Sequence, residues 1–314
     1  MRFVDVRRSG AVFADGVQDD TAALQACLDA ARDGGTVYFA DGTYLISAAL
    51  IFYSNQCLRF SDKAVLLRSG RSDPVTRYLL ASYSEPGWSG YGGTHDVVIC
   101  GGVFDGNADL CEKTTLVNTV HCRNITIENC RFMHCAHWHC IELNATENTV
   151  VRGCVFDGRS YTAVHAELLN EQVQLDLARE GSYGPVYGCG GRRHIDFCKD
   201  DTPCRGIVLE NNLFLCAGFP GIGHHGEGAH RDIVIRGNIF DGPSGKDGKS
   251  RGYIIFQPQV SEIRVCHNTF LAPDGANAPN IGILAKNPDE TALLETDNMF
   301  IGSFSERVRR GTTS

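Results

Sequence analysis

Hydrophobic and polar positions in this chain repeat in units much longer than a helical turn. The stretches HDVVICGGVFDG, RNITIENCRFMH, NTVVRGCVFDGR, RGIVLENNLFLC, RDIVIRGNIFDG and SEIRVCHNTFLA share one pattern. A short alternating strand ends in a small or amide residue, one residue follows, and then comes Phe. The Phe positions are Phe104, Phe132, Phe156, Phe214, Phe240, Phe270 and, more weakly, Phe300. They are separated by 28, 24, 58, 26, 30 and 30 residues, and the gap of 58 reads as one coil plus a long insertion. One apolar strand pattern per roughly 20–30 residues predicts stacked coils, because a single coil cannot bury its own apolar face.

The columns of such a stack follow from the alternation. Seven residues before each Phe stand Val97, Ile125, Thr149, Ile207, Ile233 and Ile263, and five before stand Ile99, Ile127, Val151, Leu209, Ile235 and Val265. Both sets should point inward, with the residue between them outward. Two residues before the Phe run Gly102, Cys130, Cys154, Asn212, Asn238, Asn268 and Asn298. Stacked Asn amides can donate to one another along the axis, and Cys130 and Cys154 fit the same column as small buried residues rather than as ligands.

The first fifty residues differ. DGVQDDTAALQACLDAARDGGTVYFADGTYLIS reads as a helix, a turn and strands, with Asp19 or Asp20 as N-cap before a stripe of Ala23, Leu24, Cys27, Leu28 and Ala31. A helix there would cover the open end of a solenoid core. Residues Gly10, Ala11, Asp15, Gly16, Asp19, Asp20, Thr21, Gly34, Gly35, Val37, Tyr38, Phe39, Gly42, Thr43 and Tyr44 resemble the opening signature of the pectate-lyase-like β-helix superfamily. The resemblance implies an all-β fold, a right-handed single-stranded parallel β-helix with a short N-terminal capping α-helix. It also implies kinship with polygalacturonase-like hydrolases, lyases, epimerases, fructotransferases and phage tailspikes, and leaves a homotrimer open. The chain is expected to form one domain over 1–314, with the cap and first strands over 1–50, repeated coils over 95–304 and an inserted loop over 177–204.

Composition narrows the function classes. A net charge of −8 argues against nucleic-acid binding, which needs a basic face. No apolar run has the length of a membrane span. The opening MRFVDVRRSG has no signal-peptide core, so a cytoplasmic location is expected; a chain with its leader removed would read the same and would be secreted. Fourteen cysteines then suggest buried thiols in a reducing compartment more than disulfides.

Each coil should hold a second strand before the Phe strand: residues 116–120, 140–144, 173–176, 222–225, 254–257 and 283–286. Aligning their apolar residues leaves two outward columns, one with Asn118, Glu142, Gln174, Gly223 and Ile255, the other with Val120, Asn144, Asp176, His225, Gln257 and Lys286. Glu142 and Asp176 would lie one coil apart and two residues offset, with Cα atoms about 8 Å apart. That suits an inverting glycosidase, whose carboxyls stand about 6.5–9.5 Å apart. Glu142 is therefore expected as acid and Asp176 as base, or the reverse, with His225 as their electrostatic partner. Asn118, Asn144, Gln174, Gln257 and Lys286 are expected to hold the sugar, joined from the insertion by Arg192, Arg193 and Asp201.

The expected function is acid/base hydrolysis of a glycosidic bond in an oligo- or polysaccharide. The polygalacturonase subgroup's Asn-Thr-Asp is absent, Asp200-Asp201 falls in the insertion, and Gly223-His224-His225-Gly226 carries an extra His. A lyase, epimerase or fructotransferase of the same fold is the enzymatic alternative, with Lys286 or Arg251 as base and calcium as the one cofactor it would need; otherwise none is expected. A glycan-binding or tailspike-like protein is the non-catalytic alternative. HCAHWHC and GHHGEGAH match no zinc-finger spacing, and no metal site is expected.

Overall fold

The computed structural model describes residues 2–9, 11–70, 78–111, 113–135, 137–157, 171–179, 186–187, 193–195, 197–216, 219–224, 228–246, 249–250, 252–275, 279–287 and 289–311. Three parallel sheets of ten, ten and nine strands run the length of a right-handed parallel β-helix. The first sheet runs from Arg2–Asp5 to Leu293–Thr296, the second from Asp15–Asp19 to Met299–Gly302, and the third from Leu50–Phe52 to Glu306–Arg310.

Each coil thus has three strands where the sequence pattern suggested two. The alternating strand and the Phe of the repeat belong to different sheets: His95–Cys100 lies in the first and Val103–Asp105 in the second. Between them the chain turns through a left-handed residue at Gly101, Asn129, Gly153, Asn211, Gly237, His267 and Asp297. Gly, Asn and Asp bear that conformation at least cost, which explains the polar residue in the middle of an apolar pattern.

The inward columns hold as the alternation requires. Val97, Ile125, Thr149, Ile207, Ile233 and Ile263 are paired rung to rung and buried. The Phe residues stack with centroids 5.2, 5.1, 4.6, 4.8, 4.9 and 4.8 Å apart from Phe104 to Phe300. At the corner beside them, Asn212 Nδ2 donates to Asn238 Oδ1, Asn238 Nδ2 to Asn268 Oδ1 and Asn268 Nδ2 to Asn298 Oδ1, each at 3.0 Å. Each acceptor also takes the backbone N–H of the Asn before it at 2.9 Å. Cys154 continues the column, its N–H donating to Asn212 Oδ1 at 2.9 Å. The buried thiols of Cys130 and Cys154 donate to backbone carbonyls.

The helix Thr21–Ala30 lays Leu24, Cys27 and Leu28 into the core, with Ala31 buried just beyond its end. Its N-terminus departs from the expected cap. Asp20 occupies the cap position, but its carboxylate turns back to accept from Phe13 N–H at 2.7 Å and Ala14 N–H at 2.9 Å. Asp19, one residue earlier, accepts from the Thr21 N–H at 2.9 Å instead. Closing the preceding loop outweighs closing the helix end, because those loop amides would otherwise be buried without acceptors.

The amide ladder predicts a large penalty for truncation. Asn238→Ala should cost roughly 2–4 kcal/mol, since it strands buried donors and acceptors on both neighbouring rungs. Asn238→Cys should cost less, as Cys already occupies this column at two rungs. Denaturant midpoints of the two variants check the order; equal stability of Asn238→Ala and the parent would refute it.

Candidate functional site

The third sheet carries the candidate chemistry, on strands Thr115–Val120, Ile141–Asn144, Val173–Asp176 and Ile222–His224. Asn118 pairs with Glu142, Glu142 with Gln174, and Gln174 with Gly223, forming one outward column. Val120 pairs with Asn144 and Asn144 with Asp176, forming the second. Their inward neighbours Val117, Ile141, Val173 and Ile222 are fully buried in the core, which fixes the alternation.

Glu142 and Asp176 stand on neighbouring rungs of one face, near enough for the Asp176 charge to act on Glu142. The Glu142 pKa is pushed up to about 8, first by burial and then by the Asp176 charge. The bonds that Asn118 and Thr115 donate to it pull the other way but do not win. Asn118 Nδ2 donates to Glu142 Oε2 at 3.1 Å and Thr115 Oγ1 to the same oxygen at 3.4 Å. Gln174 Nε2 donates to Asp176 Oδ2 at 2.9 Å, and Leu177 N–H to Oδ1 at 2.7 Å. Asp176 has donors on both oxygens, and Asn144 also bonds Glu142. Burial, with the Asp176 charge, nevertheless keeps Glu142 as the protonated carboxyl at neutral pH.

The face is enclosed rather than an open groove. Asn118, Glu142, Asn144, Gln174 and Asp176 are each at most 4% exposed. Polar outward residues read as solvated in a sequence pattern, because the pattern carries no information about what packs over the sheet. Among the described residues no donor reaches the buried Oδ1 of Asn118 or of Asn144, so two amide acceptors are held ready on the same face as the carboxyls.

A third carboxylate joins them. Glu171 is buried at the start of the rung, and its side chain lies over Gly223: a Cβ added at Gly223 would sit 2.5 Å from Glu171 Cγ. The sequence alone left its direction open, since it lies before the strand and outside the alternation. The glycine in the Asn118–Glu142–Gln174 column was the available signal, because it marks a place where something else must fit.

The remaining candidates are spread more widely. Gln257 and Lys286 follow the ends of strands Ile254–Phe256 and Ile281–Ala285 and are half-buried. Asp201 lies on the flank, pairing with Arg179 at 3.1 Å with its side chain 69% exposed. His225 and Arg192 lie outside the described residues, as does the side chain of Arg193, whose backbone belongs to the short strand Arg193–Ile195.

Several His and Cys residues of the HCAHWHC and GHHGEGAH stretches are engaged elsewhere. His134 pairs with Asp105 at 2.9 Å, Cys135 Sγ bonds the Thr114 carbonyl at 2.9 Å, and His139 Nδ1 lies 2.7 Å from the Glu171 carbonyl oxygen. His224 Nε2 accepts from Gln257 N–H at 2.6 Å and His230 Nδ1 from Cys204 N–H at 2.9 Å. Burial holds the His230 pKa down at about 4. It pushes the thiols of Cys122 and Cys204 up to about 12, so neither is a thiolate near neutrality. Among the described residues no group of three or more His, Cys, Asp or Glu is placed to hold a metal.

Comparison with known proteins shows the same architecture. Residues 3–59 match the family model described as rhamnogalacturonase A/epimerase, pectate lyase-like. Plasmin and fibronectin-binding protein A of Streptococcus pneumoniae is 29% identical over 285 residues, which takes in 76% of this chain and 39% of that protein. The chain thus spans well under half the length of that relative. The crystal structure of PfbA, a surface adhesin of Streptococcus pneumoniae, superposes with a TM-score of 0.66 at 18% identity, covering 100% of this chain and 80% of that one. A hyperthermoactive exopolygalacturonase from Thermotoga maritima gives a TM-score of 0.58 at 15% identity, over 99% and 92% of the two chains. The chain has the pectate-lyase-like right-handed parallel β-helix fold that these proteins share.

The raised Glu142 pKa has a stability consequence. The folded protein keeps a proton that the unfolded chain releases, so this contribution is full below the ordinary glutamate pKa and is lost as pH rises through about 8. Melting temperature should therefore fall between pH 5 and pH 8.5, and Glu142→Gln should flatten that slope, stabilising the protein by roughly 1–3 kcal/mol at the alkaline end. Parallel melting curves for parent and variant across this range would count against the assignment.

Proposed function

We propose that this β-helix holds a glycan against its third sheet and hydrolyses a glycosidic bond there. Glu142 donates a proton to the leaving oxygen and Asp176 draws one from the attacking water. The supporting observation is the Glu142 carboxyl, which stays protonated up to about pH 8 beside a carboxylate on the next rung. Two acids in one enclosed site, with environments that push their proton affinities apart, are what general acid and general base require. Their offset of one rung and two residues gives a Cα separation of about 8 Å.

The amides fit substrate binding. Asn118 and Asn144 offer buried carbonyl oxygens to sugar hydroxyls, and Gln174 steadies Asp176. Glu171 adds a carboxyl above Gly223, one rung beyond Gln174. His225 is assigned to the substrate or to Asp176, as the electrostatic partner of the two acids. Gln257, Lys286, Asp201, Arg192 and Arg193 are assigned to more distant sugar units. The enclosure excludes bulk water and strengthens the field between the carboxyls, and it requires the cover to open for substrate. No cofactor enters this scheme; calcium belongs to the elimination alternative.

A second reading has its own support. The curated relative is named for binding plasmin and fibronectin, and PfbA is described as an adhesin. Buried carboxyls bonded to neighbouring amides also suit a static element of a binding protein.

Incubation with a glycan panel separates the readings. Hydrolysis gives products heavier by one water, elimination gives an unsaturated product absorbing in the ultraviolet, and binding alone gives none. Glu142→Gln and Asp176→Asn should each lower turnover by about 10²–10⁴-fold while the fold persists. The rate should decline as pH rises through about 8, because Glu142 must carry its proton. Full turnover in Asp176→Asn would remove the hydrolytic assignment.

A further inference from the structure

The column that carries Asn144 and Asp176 continues towards the N-terminal end of the third sheet. Ala81 pairs with Asn118, so two residues further on Tyr83 falls beside Val120. Phe52 pairs with Ser82, which sets Tyr53 beside Tyr83. The column therefore reads Tyr53, Tyr83, Val120, Asn144, Asp176. At about 4.8 Å per rung, Tyr83 stands about 10 Å from Asn144 and about 14 Å from Asp176.

These tyrosines belong to an aromatic cluster. Their ring centroids are 5.3 Å apart, and the exposed Arg32 guanidinium lies 5.0 Å from each. Trp88, half-buried, meets the Tyr83 ring edge-on at 5.6 Å. The hydroxyls are held by carboxylates, Tyr53 Oη donating to Asp29 at 2.7 Å and Tyr83 Oη to Glu85 at 2.8 Å. Tyr53 is buried beneath the cluster, so Trp88 and Tyr83 present the ring surface, with a guanidinium and two carboxylates around it, charges of both signs.

The loop that carries Trp88 is fastened to the last residues of the insertion. Gly90 N–H donates to Asp200 Oδ2 at 2.8 Å, and Tyr91 Oη donates to the Pro203 carbonyl at 2.8 Å. The His121 ring bridges both sides, with its nitrogens 2.7 Å from the Gly90 and Cys198 carbonyl oxygens. Gly93 backs the indole, where an added Cβ would lie 3.1 Å from Trp88 Cε3. So the rings are held in place on the side of the sheet where the carboxyls lie.

We propose that Trp88, Tyr83 and Arg32, backed by the buried Tyr53, form a second glycan subsite, for an uncharged pyranose unit of the same chain that reaches Glu142 and Asp176. The proposal rests on the reading of that face as a glycan site. A pyranose has an apolar C–H face and a rim of hydroxyls. Fixed aromatic rings take the face, and a rim of mixed charge takes the hydroxyls. Because Arg32 is balanced by Asp29 and Glu85, the subsite favours hydroxyls over a carboxylate or sulfate. The span to the carboxyls suits roughly two or three sugar units at about one rung each, so the subsite selects for chain length.

The test uses the full chain carrying Asp176→Asn, probed on an array of neutral and acidic oligosaccharides of two to eight units. Neutral oligosaccharides of four or more units should bind, with affinity nearly independent of salt. Titrated with the strongest array binder, Trp88→Leu should bind about tenfold more weakly, and Arg32→Gln should weaken binding severalfold. Arg32 is exposed, so its variant keeps the test open if Trp88→Leu fails to fold. Disaccharide binding should be unchanged in both. Unchanged affinity for long chains in both variants overturns the subsite, as does salt-sensitive binding confined to acidic glycans, or no binding at all. With Asp176 restored, weaker binding in the variants but no product from any glycan keeps the subsite and removes hydrolysis. Hydrolysis of long chains with an unchanged KM in both variants does the reverse.

Discussion

Parallel hydrogen bonding between coils is the constraint on which this molecule depends. The strands of the three sheets pair in parallel with the same part of the next coil, in register along the repeated coils. Neighbouring rungs are held at about 4.8 Å, and a side chain on one rung meets its counterpart on the next. A column is therefore a unit of structure. Like residues that stack well are favoured, which is why Phe sits on Phe from Phe104 to Phe300 and Asn bonds Asn from Asn212 to Asn298. The amide ladder satisfies buried polar groups at a corner where the chain leaves one sheet for another.

The same constraint concentrates unlike groups where stacking is not repeated. The outward columns of the third sheet place Asn118, Glu142 and Gln174, and beside them Asn144 and Asp176, on consecutive rungs. Two carboxyls held this close and this deeply cannot both ionise readily, and the cost falls on Glu142. On the exposed face of the first sheet the columns carry alternating charge instead. Arg152 bonds Glu128 and Arg236 bonds Glu210, pairs whose guanidinium groups remain about half exposed to water. Burial, more than the presence of acids, separates the two faces.

Connections between coils set what surrounds that face. The loop through Trp88 and the segment from Phe197 to Pro203 are joined through His121, Asp200 and Tyr91, although they are far apart in sequence. Neither belongs to a repeat, and both sit at the corner between the third and first sheets. The rungs supply a fixed scale along the axis, and the loops supply the chemistry that varies from coil to coil.

Sequence by itself determined the solenoid, its inward columns, the Asn and Phe stacks and the register that sets Glu142 beside Gln174 and Asn144 beside Asp176. Those follow from a period of two within strands and a repeat between coils, both written locally in residue type. The division of each coil into three strands depended on left-handed corner residues such as Asn129 and Asn211, which read equally well as strand ends. Only the tertiary structure decided that the polar face is enclosed, that Glu171 turns over Gly223, and that Asp20 serves a loop instead of the helix end. Each of these is settled by segments that meet across the fold, and alternation along one strand carries no record of what the other segment brings.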